Sequence, residues 1–400
     1  MRLPIALAAV FALLTLHAVA RAAAAPVRLE LYTIGPGDDL FERFGHAALC
    51  VVPSEVRADG RAGGTAVRND TVPNARCYNY GTIDFGSPPE ELGYQFLRGD
   101  ARFWVSVWSL GRMLDVYRAA DRSIYRQRLS LDEEAAERAA TELAHDARPE
   151  NREYVYHHLR DNCSTRLRDL LDRATDGALA RAGRETLEQS YRDLAAGALA
   201  GEPLLVMVGN VAVGRGIDRP VTRFEAAFLP DHLRLLARGA LGAEPEIVYR
   251  RRGKPLGGEA PHTAGRFAGL ALVVAAAYIA TCRFGRERLG AAFVGALCGL
   301  VGLALWALAL VSTVPELQDN EILLLFLPTD VALGFLGARH RRIYVEARLV
   351  ELAAASALRA LGVLMQPLYA VLLIPALAML AMFFAARARG ASGAKGPLRP

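Results

Sequence analysis

The sequence lacks the short motifs that mark the commonest sites for nucleic acid and dinucleotides. It has no DNA-binding motif and no basic patch interleaved with aromatic residues, although its net charge is +5. The positive charge comes almost wholly from arginine, and much of it lies beside apolar segments near the C-terminus, which indicates membrane topology rather than nucleic-acid binding. Residues 204–220 contain several glycines but not the strand, G-x-G-x-x-G, helix arrangement, so they predict a strand and a turn. We therefore expect no cofactor.

Cysteine is scarce, with five residues in a chain of 400. The five stand at positions Cys50, Cys77, Cys163, Cys282 and Cys298. The last two lie in or beside apolar segments, where packing as a small hydrophobic residue is the ordinary role. The first two lie on neighbouring predicted strands, where an oxidising compartment would permit a disulfide, and this leaves Cys163 free. A zinc site from His46 and the first three cysteines is the competing assignment, but the tight C-x-x-C and H-x-x-x-H pairs typical of zinc are absent, so we expect no metal.

The composition predicts a soluble part and a membrane part in one chain. Hydrophobic residues make up 52% and charged residues 22%, which is too apolar for a purely soluble protein and too charged for a purely membranous one. Residues 1–25 combine a basic start, a short apolar core and A-x-A patterns, which predicts a cleaved signal peptide, with a retained anchor as the alternative. We expect a globular domain outside the cytoplasm over 26–249, a linker over 250–265, membrane helices over 266–386 and a tail over 387–400.

Apolar runs near bilayer length divide the C-terminal part. They cover residues 266–282, 289–312, 321–338, 346–364 and 368–385. The fourth run is open to doubt because Arg348, Glu351 and Arg359 are costly at depth unless they are paired or near an edge. Five spans would place all the basic connecting segments on the cytoplasmic side, as the positive-inside rule asks, whereas four would leave the basic tail outside. We therefore predict five spans.

Short apolar runs separated by turn residues predict an α+β domain before residue 250. Predicted strands cover residues 29–34, 46–52, 77–85 and 101–110. Predicted helices cover residues 88–99 and 131–145 and a stretch from 163 to about 200. Ser130 and Glu133 form a capping box for the second of these helices. The segment 224–241 is amphipathic and is expected to lie against the domain or at the bilayer surface.

The helix that begins at Cys163 carries the strongest chemical signal. Asp161 and Asn162 are good N-caps, and helical spacing follows at Leu167, Leu170, Leu171 and Ala174. In the first turn of a helix, free backbone N–H groups and the positive end of the macrodipole favour an anion and so lower a thiol's pKa. Cys163 is therefore a candidate nucleophile, and a buried structural cysteine is the alternative.

His46 is the candidate base for this thiol. It follows Gly45 and begins a predicted strand, so its ring can project from the rigid end of a sheet. A cysteine at a helix start with a histidine on a sheet can hold a thiolate-imidazolium pair and pass a proton to a leaving group. A structural role for His46 is the alternative. His157 and His158, on the approach to the helix, are expected to be structural.

Four segments resemble the periplasmic domain of the Lnb-type family, which includes a bacterial lipoprotein N-acyltransferase. They are FERFGHAAL, YNYGTIDF, YVYHHLRDNCSTRLRD and FLPDHL, and the resemblance covers roughly residues 27 to 240. That domain is similar to the permuted NlpC-type and lecithin-retinol-acyltransferase-like branch of papain-fold cysteine enzymes. The resemblance implies a permuted papain-like fold, an antiparallel sheet plus helices, in which the histidine strand precedes the cysteine helix. It also implies that Cys163 is the nucleophile and His46 its base.

A third polar residue would orient the imidazole. If the second and third strands pair as a hairpin, Tyr80, Thr82 and Asp84 lie near the histidine. Asp84 is our prediction, because a carboxylate fixes the tautomer and stabilises imidazolium, and a turn-capping role is its alternative. Asn162 or the N–H of Cys163 would stabilise an oxyanion.

These features predict a membrane-anchored thiol acyltransferase in the bacterial inner membrane, with its N-terminal domain in the periplasm and its C-terminus in the cytoplasm. An enzyme fixed to the outer face of this membrane reaches phospholipid acyl esters without releasing them to water, and an acyl thioester on Cys163 follows. The resemblance implies a lipoprotein amine as the acceptor. A cell-wall amidase or peptidase of the NlpC type, and a non-catalytic membrane binding protein, are the alternatives.

Overall fold

The computed structural model describes residues 27–53, 74–83 and 89–393. The predicted signal peptide, residues 54–73 and Asp84 lie outside these ranges. The predicted C-terminal tail is described only as far as residue 393.

A seven-stranded antiparallel sheet forms the centre of the N-terminal part. Its strands are β1 (Val27–Ile34), β2 (His46–Pro53), β3 (Arg76–Thr82), β4 (Arg102–Ser109), β5 (Ile124–Arg128), β6 (Glu153–Val155) and β9 (Pro245–Tyr249), in the order β6-β4-β3-β2-β1-β5-β9. Two further strands, β7 (Thr186–Ser190) and β8 (Pro220–Thr222), pair separately. The four strands predicted from the sequence are β1 to β4, and β5, β6 and β9 extend the sheet on both sides.

The central strands bury both faces, which is why their sequences are almost continuously apolar. On β1, Leu29 and Leu31 point to one apolar core, and Tyr32 and Ile34 point to the other. The pairing of β1 with β2 runs from Val27 opposite Pro53 to Ile34 opposite His46. His46 is therefore the first residue of a strand held on both sides, with little freedom of its own.

Helices cover the two faces of the sheet. In this part they are α1 (Pro89–Arg98), α2 (Leu110–Ala119), α3 (Glu133–Asp146), α4 (Cys163–Ala174), α5 (Ala178–Ala182), α6 (Tyr191–Ala198), α7 (Pro203–Ala212), α8 (Arg223–Ala226) and α9 (Pro230–Leu241). Helices α3, α4 and α9 share a core with one face of the sheet, and α2 packs on the other. Leu233 and Leu236 of α9 are buried in the first core, so the amphipathic segment predicted there lies against the domain.

Two local predictions differ from the structure. Helix α3 is capped by Asp132, whose side chain accepts the N–H of Ala135 at 2.7 Å, and not by Ser130. The segment predicted as strand and turn forms helix α7, because Pro203 at its first turn is preorganised for a helix start. Its Met207 and Val211 pack against the apolar core that the helices after residue 263 form together, which we call the membrane-region core.

Three helices in the described part of the chain are long and apolar enough to cross a membrane: α10 (Ala264–Arg283), α11 (Glu287–Val311) and α14 (Leu368–Gly393). Five spans were predicted. The predicted third span instead contains two short 3-10 segments, Glu321–Leu324 and Pro328–Gly334, because Pro328 and the buried Asp330 interrupt the run.

The predicted fourth span lies mostly within helix α13 (Ala338–Ala360), which follows the short α12 (Pro315–Gln318) and the 3-10 segments. Its Arg348 is 2% exposed and donates through Nε and Nη2 to the fully buried Asp330 at 3.0 and 3.1 Å. The same Nη2 also donates to the carbonyl of Leu325 at 2.7 Å. Pairing and hydrogen bonding offset the cost of burying both charges.

The sheet domain is hydrogen-bonded to the ends of the membrane-region helices. Just beyond α11, the hydroxyl of Ser312 donates to the carbonyl of Leu97 at the end of α1, at 2.5 Å. Asn320 and Gln366 donate through their side-chain amides to the carbonyls of Val211 and Val213, at 2.8 and 3.0 Å. Helices α1 and α7 are thereby fixed at the outer end of the apolar helices.

Candidate active site

Cys163 is the first residue of α4, and Asn162 holds this helix start in place. The Asn162 carbonyl oxygen Oδ1 accepts the N–H groups of Ser164 and Thr165, both at 2.9 Å. Its Nδ2 donates to the carbonyls of His158 and Phe228, at 2.7 and 3.1 Å. Both donors of the amide are thus used, so Asn162 positions the helix and has none left for an oxyanion. The N–H of Cys163, which this cap does not use, is the donor still fit for the predicted oxyanion role.

A cavity of about 440 Å³ opens at this helix start. His46 and Cys163 both line it, and so do His158, Tyr117 and Arg122. The structure therefore brings the two residues predicted as base and nucleophile into one space. Most of the remaining lining is apolar and aromatic, which is usual for a small-molecule site with a few placed polar groups.

The sulfur of Cys163 lies against the start of the histidine strand. The backbone N–H groups of Ala47, the residue after His46, and of Ser164 face it closely enough to lower its pKa. On the other side Gly81 has φ +84, and a Cβ placed there would be 3.6 Å from the Cβ of Cys163. Because glycine adopts this backbone conformation at no steric cost, the end of β3 can lie directly beside the thiol.

Asn79 is the polar partner of the His46 ring. The ring nitrogen Nε2 lies 3.3 Å from Oδ1 of Asn79, whose Nδ2 donates to the carbonyl of Cys77 at 3.2 Å. Since the amide nitrogen is used by that carbonyl, Oδ1 faces the ring as an acceptor, which assigns the proton of the neutral imidazole to Nε2. The other nitrogen, Nδ1, is then free to accept a proton. Asn79, His46 and Cys163 thus line one cavity.

The position of Asn79 beside His46 was not predicted from the sequence, although the register of the strands indicates it. Asn79 lies opposite Ala48, and His46 shares the face of Ala48 because it lies two residues before it on β2, so the odd-numbered residues of β3 share the face of the histidine. Tyr80 therefore lies on the other face, where its hydroxyl donates to Asp146 at 2.7 Å, and the structure does not bring it to the site. Thr82 pairs with the hydroxyl of Ser106 at 2.7 Å, and Asp84 lies beyond the described residues.

Burial favours the neutral forms of both His46 and Cys163. Burial lowers the pKa of His46 to about 4, with a further lowering by the charge of Arg122, while the hydrogen bond to Asn79 opposes the shift. Burial raises the pKa of Cys163, and the N–H groups of Ala47 and Ser164 offset only part of that rise. The expected lowering of the thiol pKa at the helix start is therefore wrong for the free protein, because desolvation outweighs the backbone donors.

The two neighbouring histidines differ in their surroundings. His157 accepts the N–H groups of Leu159 and Arg160 on Nδ1, both at 3.2 Å, and its Nε2 lies 3.4 Å from a carboxylate oxygen of Glu316 near the membrane helices. His158 lines the cavity, in edge contact with Phe44, and burial lowers its pKa to about 4. A wall position for His158 was not predicted.

The remaining cysteines lie away from the cavity. A disulfide joins Cys50 and Cys77 on the paired strands β2 and β3. Cys282 and Cys298 are unpaired and pack in the membrane-region core. Within residues 27–53, 74–83 and 89–393, no three His, Cys, Asp or Glu side chains are grouped to hold a metal ion.

Comparison with known proteins identifies the domain that holds this site. Residues 17–197 match the family described as the Lnb N-terminal periplasmic domain, and the match contains His46, Asn79 and Cys163. Searches of the curated proteins and of the solved structures found no match. The chain is therefore a membrane protein that carries an Lnb N-terminal periplasmic domain, followed by three helices long and apolar enough to cross a bilayer.

Proposed function

We propose that this protein is a membrane-anchored cysteine acyltransferase that moves an acyl group from a phospholipid to an amine, the N-terminus of a lipoprotein. The observation that carries the proposal is the cavity that Cys163, His46 and Asn79 line together, in which the histidine ring is held by Asn79. Nucleophile, base and orienting amide then share one cavity, as thiol acyl transfer requires. The order of histidine strand before cysteine helix supports a permuted papain-like fold.

In the first half-reaction the sulfur of Cys163 attacks the carbonyl carbon of the acyl ester. Nδ1 of His46 takes the thiol proton as the carbon–sulfur bond forms. When the ester carbon–oxygen bond breaks, the imidazolium returns that proton to the departing lysophospholipid oxygen. The N–H of Cys163 faces the developing oxyanion from the helix start, where the macrodipole also favours negative charge.

In the second half-reaction the acceptor amine attacks the thioester carbon. The carbon–nitrogen bond forms, the carbon–sulfur bond breaks, and the amine proton passes through His46 to the thiolate. Burial favours the neutral thiol and the neutral imidazole before substrate binds. This suits the two half-reactions, because the thiol proton then moves to His46 only while a substrate is bound.

The cavity wall favours a lipid as donor. Phe41 and Phe96 stack with ring centroids 5.8 Å apart, Phe103 and Tyr156 stack at 4.1 Å, and all four line the cavity. Phe96 belongs to α1, whose end is hydrogen-bonded to Ser312 beside the apolar helix α11. An acyl chain at the outer membrane surface would therefore meet an aromatic entrance next to the thiol.

The arrangement of the helices is consistent with an enzyme of the inner membrane that acts in the periplasm. An odd number of spans, three or five, would take the C-terminus to the cytoplasm, where its arginines satisfy the positive-inside rule.

Trapping of the acyl-enzyme tests this function. The full-length protein in nanodiscs is mixed with phospholipid without acceptor, and the mass of the peptide containing Cys163 is measured. We expect an acyl adduct that hydroxylamine removes. The adduct should be absent in Cys163→Ala. It should be unchanged in the matched control Cys298→Ala, which replaces a cysteine in the membrane-region core. His46→Ala should slow adduct formation about 10²- to 10⁴-fold, the usual contribution of a positioned base.

Asn79 provides a second test. Asn79→Ala leaves the Nε2 proton of His46 without its acceptor and frees the ring to adopt the wrong tautomer, so we expect adduct formation to slow about 100-fold. Asn79→Gln, which keeps the amide, should recover part of the rate. Cleavage of cell-wall peptides with lipids ignored would replace this proposal by an NlpC-type peptidase, and no reaction with either substrate would favour a binding protein.

A further inference from the structure

Arg122 is a buried cation in the wall of the Cys163 cavity. It is 3% exposed and lies just before β5. Its Nε donates to the carbonyl of Gly35 at 2.9 Å, and its Nη1 donates to the carboxylate of Glu42 at 3.0 Å. Its remaining nitrogen, Nη2, is buried and has no hydrogen-bond partner in the ranges that the structure describes.

An unused donor on a buried guanidinium is costly. Leaving a buried charged donor unpaired costs more than the hydrogen bond itself contributes, and native proteins seldom leave one unsatisfied. Glu42 supplies one carboxylate, but that side chain is one-third exposed and engages only Nη1. We therefore expect Nη2 to donate to an acceptor from outside the described part of the chain.

Arg122 also lies close enough to the reacting groups to act on them. Its positive charge lowers the pKa of His46 and that of Cys163, and it faces the ring of Tyr117 with 5.2 Å between the guanidinium carbon and the ring centroid. An anion bound by this guanidinium would thus lie in the same cavity as the thiol, within the span of one small molecule.

We propose that Arg122 binds the phosphate of the donor lipid and makes the enzyme select phosphorylated glycerolipids over neutral ones. The inference rests on the proposed acyl transfer and adds the group that the donor must carry. A glycerophospholipid has its acyl ester and its phosphate on one glycerol unit, so an ester at Cys163 brings the phosphate into the same cavity. Gly35 and Glu42 hold the planar fork of the guanidinium in place, which leaves Nη2 to donate to a phosphate oxygen, while the aromatic wall at Phe41 and Phe96 takes the acyl chain.

The test compares two donors with identical acyl chains. Full-length protein in detergent micelles is given dioleoylphosphatidylglycerol or dioleoylglycerol, and the rate of the adduct on Cys163 is measured for each. We expect the wild type to react at least about tenfold faster with the phospholipid, the range that one charge-assisted hydrogen bond supplies. Arg122→Gln should lose this preference, which is a ratio of two rates and so is independent of any change that the lost charge causes with both donors. Residual reaction with dioleoylglycerol shows that the variant is folded.

Two further variants give the test its controls. Arg122→Lys keeps the charge without the planar fork and should retain part of the preference. Arg43→Gln is the matched control, because Arg43 is also a partly buried arginine paired with a carboxylate, that of Glu202 at 2.9 Å, but it lines the neighbouring cavity and not that of Cys163. It should leave the donor preference unchanged.

The outcomes separate this inference from the proposed function. Equal rates for the two donors in the wild type, or a preference that survives in Arg122→Gln, would overturn the phosphate site while acyl transfer stands. A further outcome is that inorganic phosphate at millimolar concentration slows adduct formation from both lipids by the same factor. That result would make Arg122 a site for the free anion, which also overturns headgroup selection. No adduct from either lipid would remove the proposed function itself.

Discussion

The resting state of the thiol can be tested through the pH dependence of its alkylation. Burial lowers the pKa of His46 to about 4 and raises that of Cys163 above its ordinary value. The lowering of the His46 pKa from 6.5 to about 4 alone disfavours the imidazolium by about 3.4 kcal/mol, and the raised pKa of Cys163 adds to the cost of proton transfer from sulfur to imidazole. We therefore expect no preformed thiolate-imidazolium pair in the free protein.

The assay is the rate of iodoacetamide labelling at Cys163 between pH 4 and pH 10, followed on its own peptide by mass spectrometry. That readout separates it from the free Cys282 and Cys298. The rate should stay low through pH 7 and rise only in the alkaline range, with a midpoint above that of an ordinary cysteine. His46→Ala should follow the same curve, because a neutral histidine stores no thiolate. Asn79→Ala should also follow it, even though its acyl transfer is slow.

A different curve would refute this reasoning. A labelling plateau between pH 5 and pH 8 in the wild type, lost in His46→Ala, would mean that the ion pair exists before substrate arrives. The helix start and the charge of Arg122 would then outweigh desolvation, contrary to the direction derived from burial.

Three stability predictions follow from other parts of the structure, each measured by thermal denaturation of the full chain in detergent. An unfolded histidine binds a proton near pH 6.5 but folded His158 only near 4, so unfolding takes up protons, and this residue lowers the free energy of unfolding by about 3 kcal/mol as pH drops through that window. His46 has a similar shift, so His158→Phe should remove about half of their combined acid slope, and an unchanged slope would contradict the assignment. Replacing Cys50 and Cys77 together by alanine opens a loop with a sequence separation of 27 and should cost about 3.5 kcal/mol, while Cys163 alkylation stays the same. Arg348→Met leaves Asp330 buried without its arginine partner and should lower the free energy of unfolding by about 3–5 kcal/mol. A second change, Asp330→Asn, should restore most of this loss, whereas additive losses would show that the two residues do not act as a pair.

The parts of the site that could be predicted are those fixed by local chemistry. Asn162 before an apolar helical pattern predicts the start of α4, because an N-cap needs only residues within one turn. His46 at the head of β2 follows in the same way from Gly45 and the apolar run after it. The orienting residue depends instead on strand register, since a slip of one position moves a side chain to the opposite face. Asn79 and Tyr80 are adjacent in sequence, yet one lies beside the histidine and the other beside Asp146.

Segments whose partners are distant in sequence were harder to predict. The apolar run of α7 contains valines that suit a strand, and only Pro203 at its beginning signals a helix. The predicted third span ran through Asp330, whose charge is acceptable there because Arg348 of another helix reaches it. Neither the register of a sheet nor the partner of a buried charge can be read from one segment alone.

The hydrogen bonds from Ser312, Asn320 and Gln366 to the ends of α1 and α7 would bear on what the proposed enzyme can reach. They hold the sheet domain against the ends of the apolar helices, so the thiol cavity would stay at one distance from the lipid surface. A donor ester and an acceptor amine would both have to come to the cavity at that distance. Reach, as much as chemical recognition, would then limit which molecules are modified.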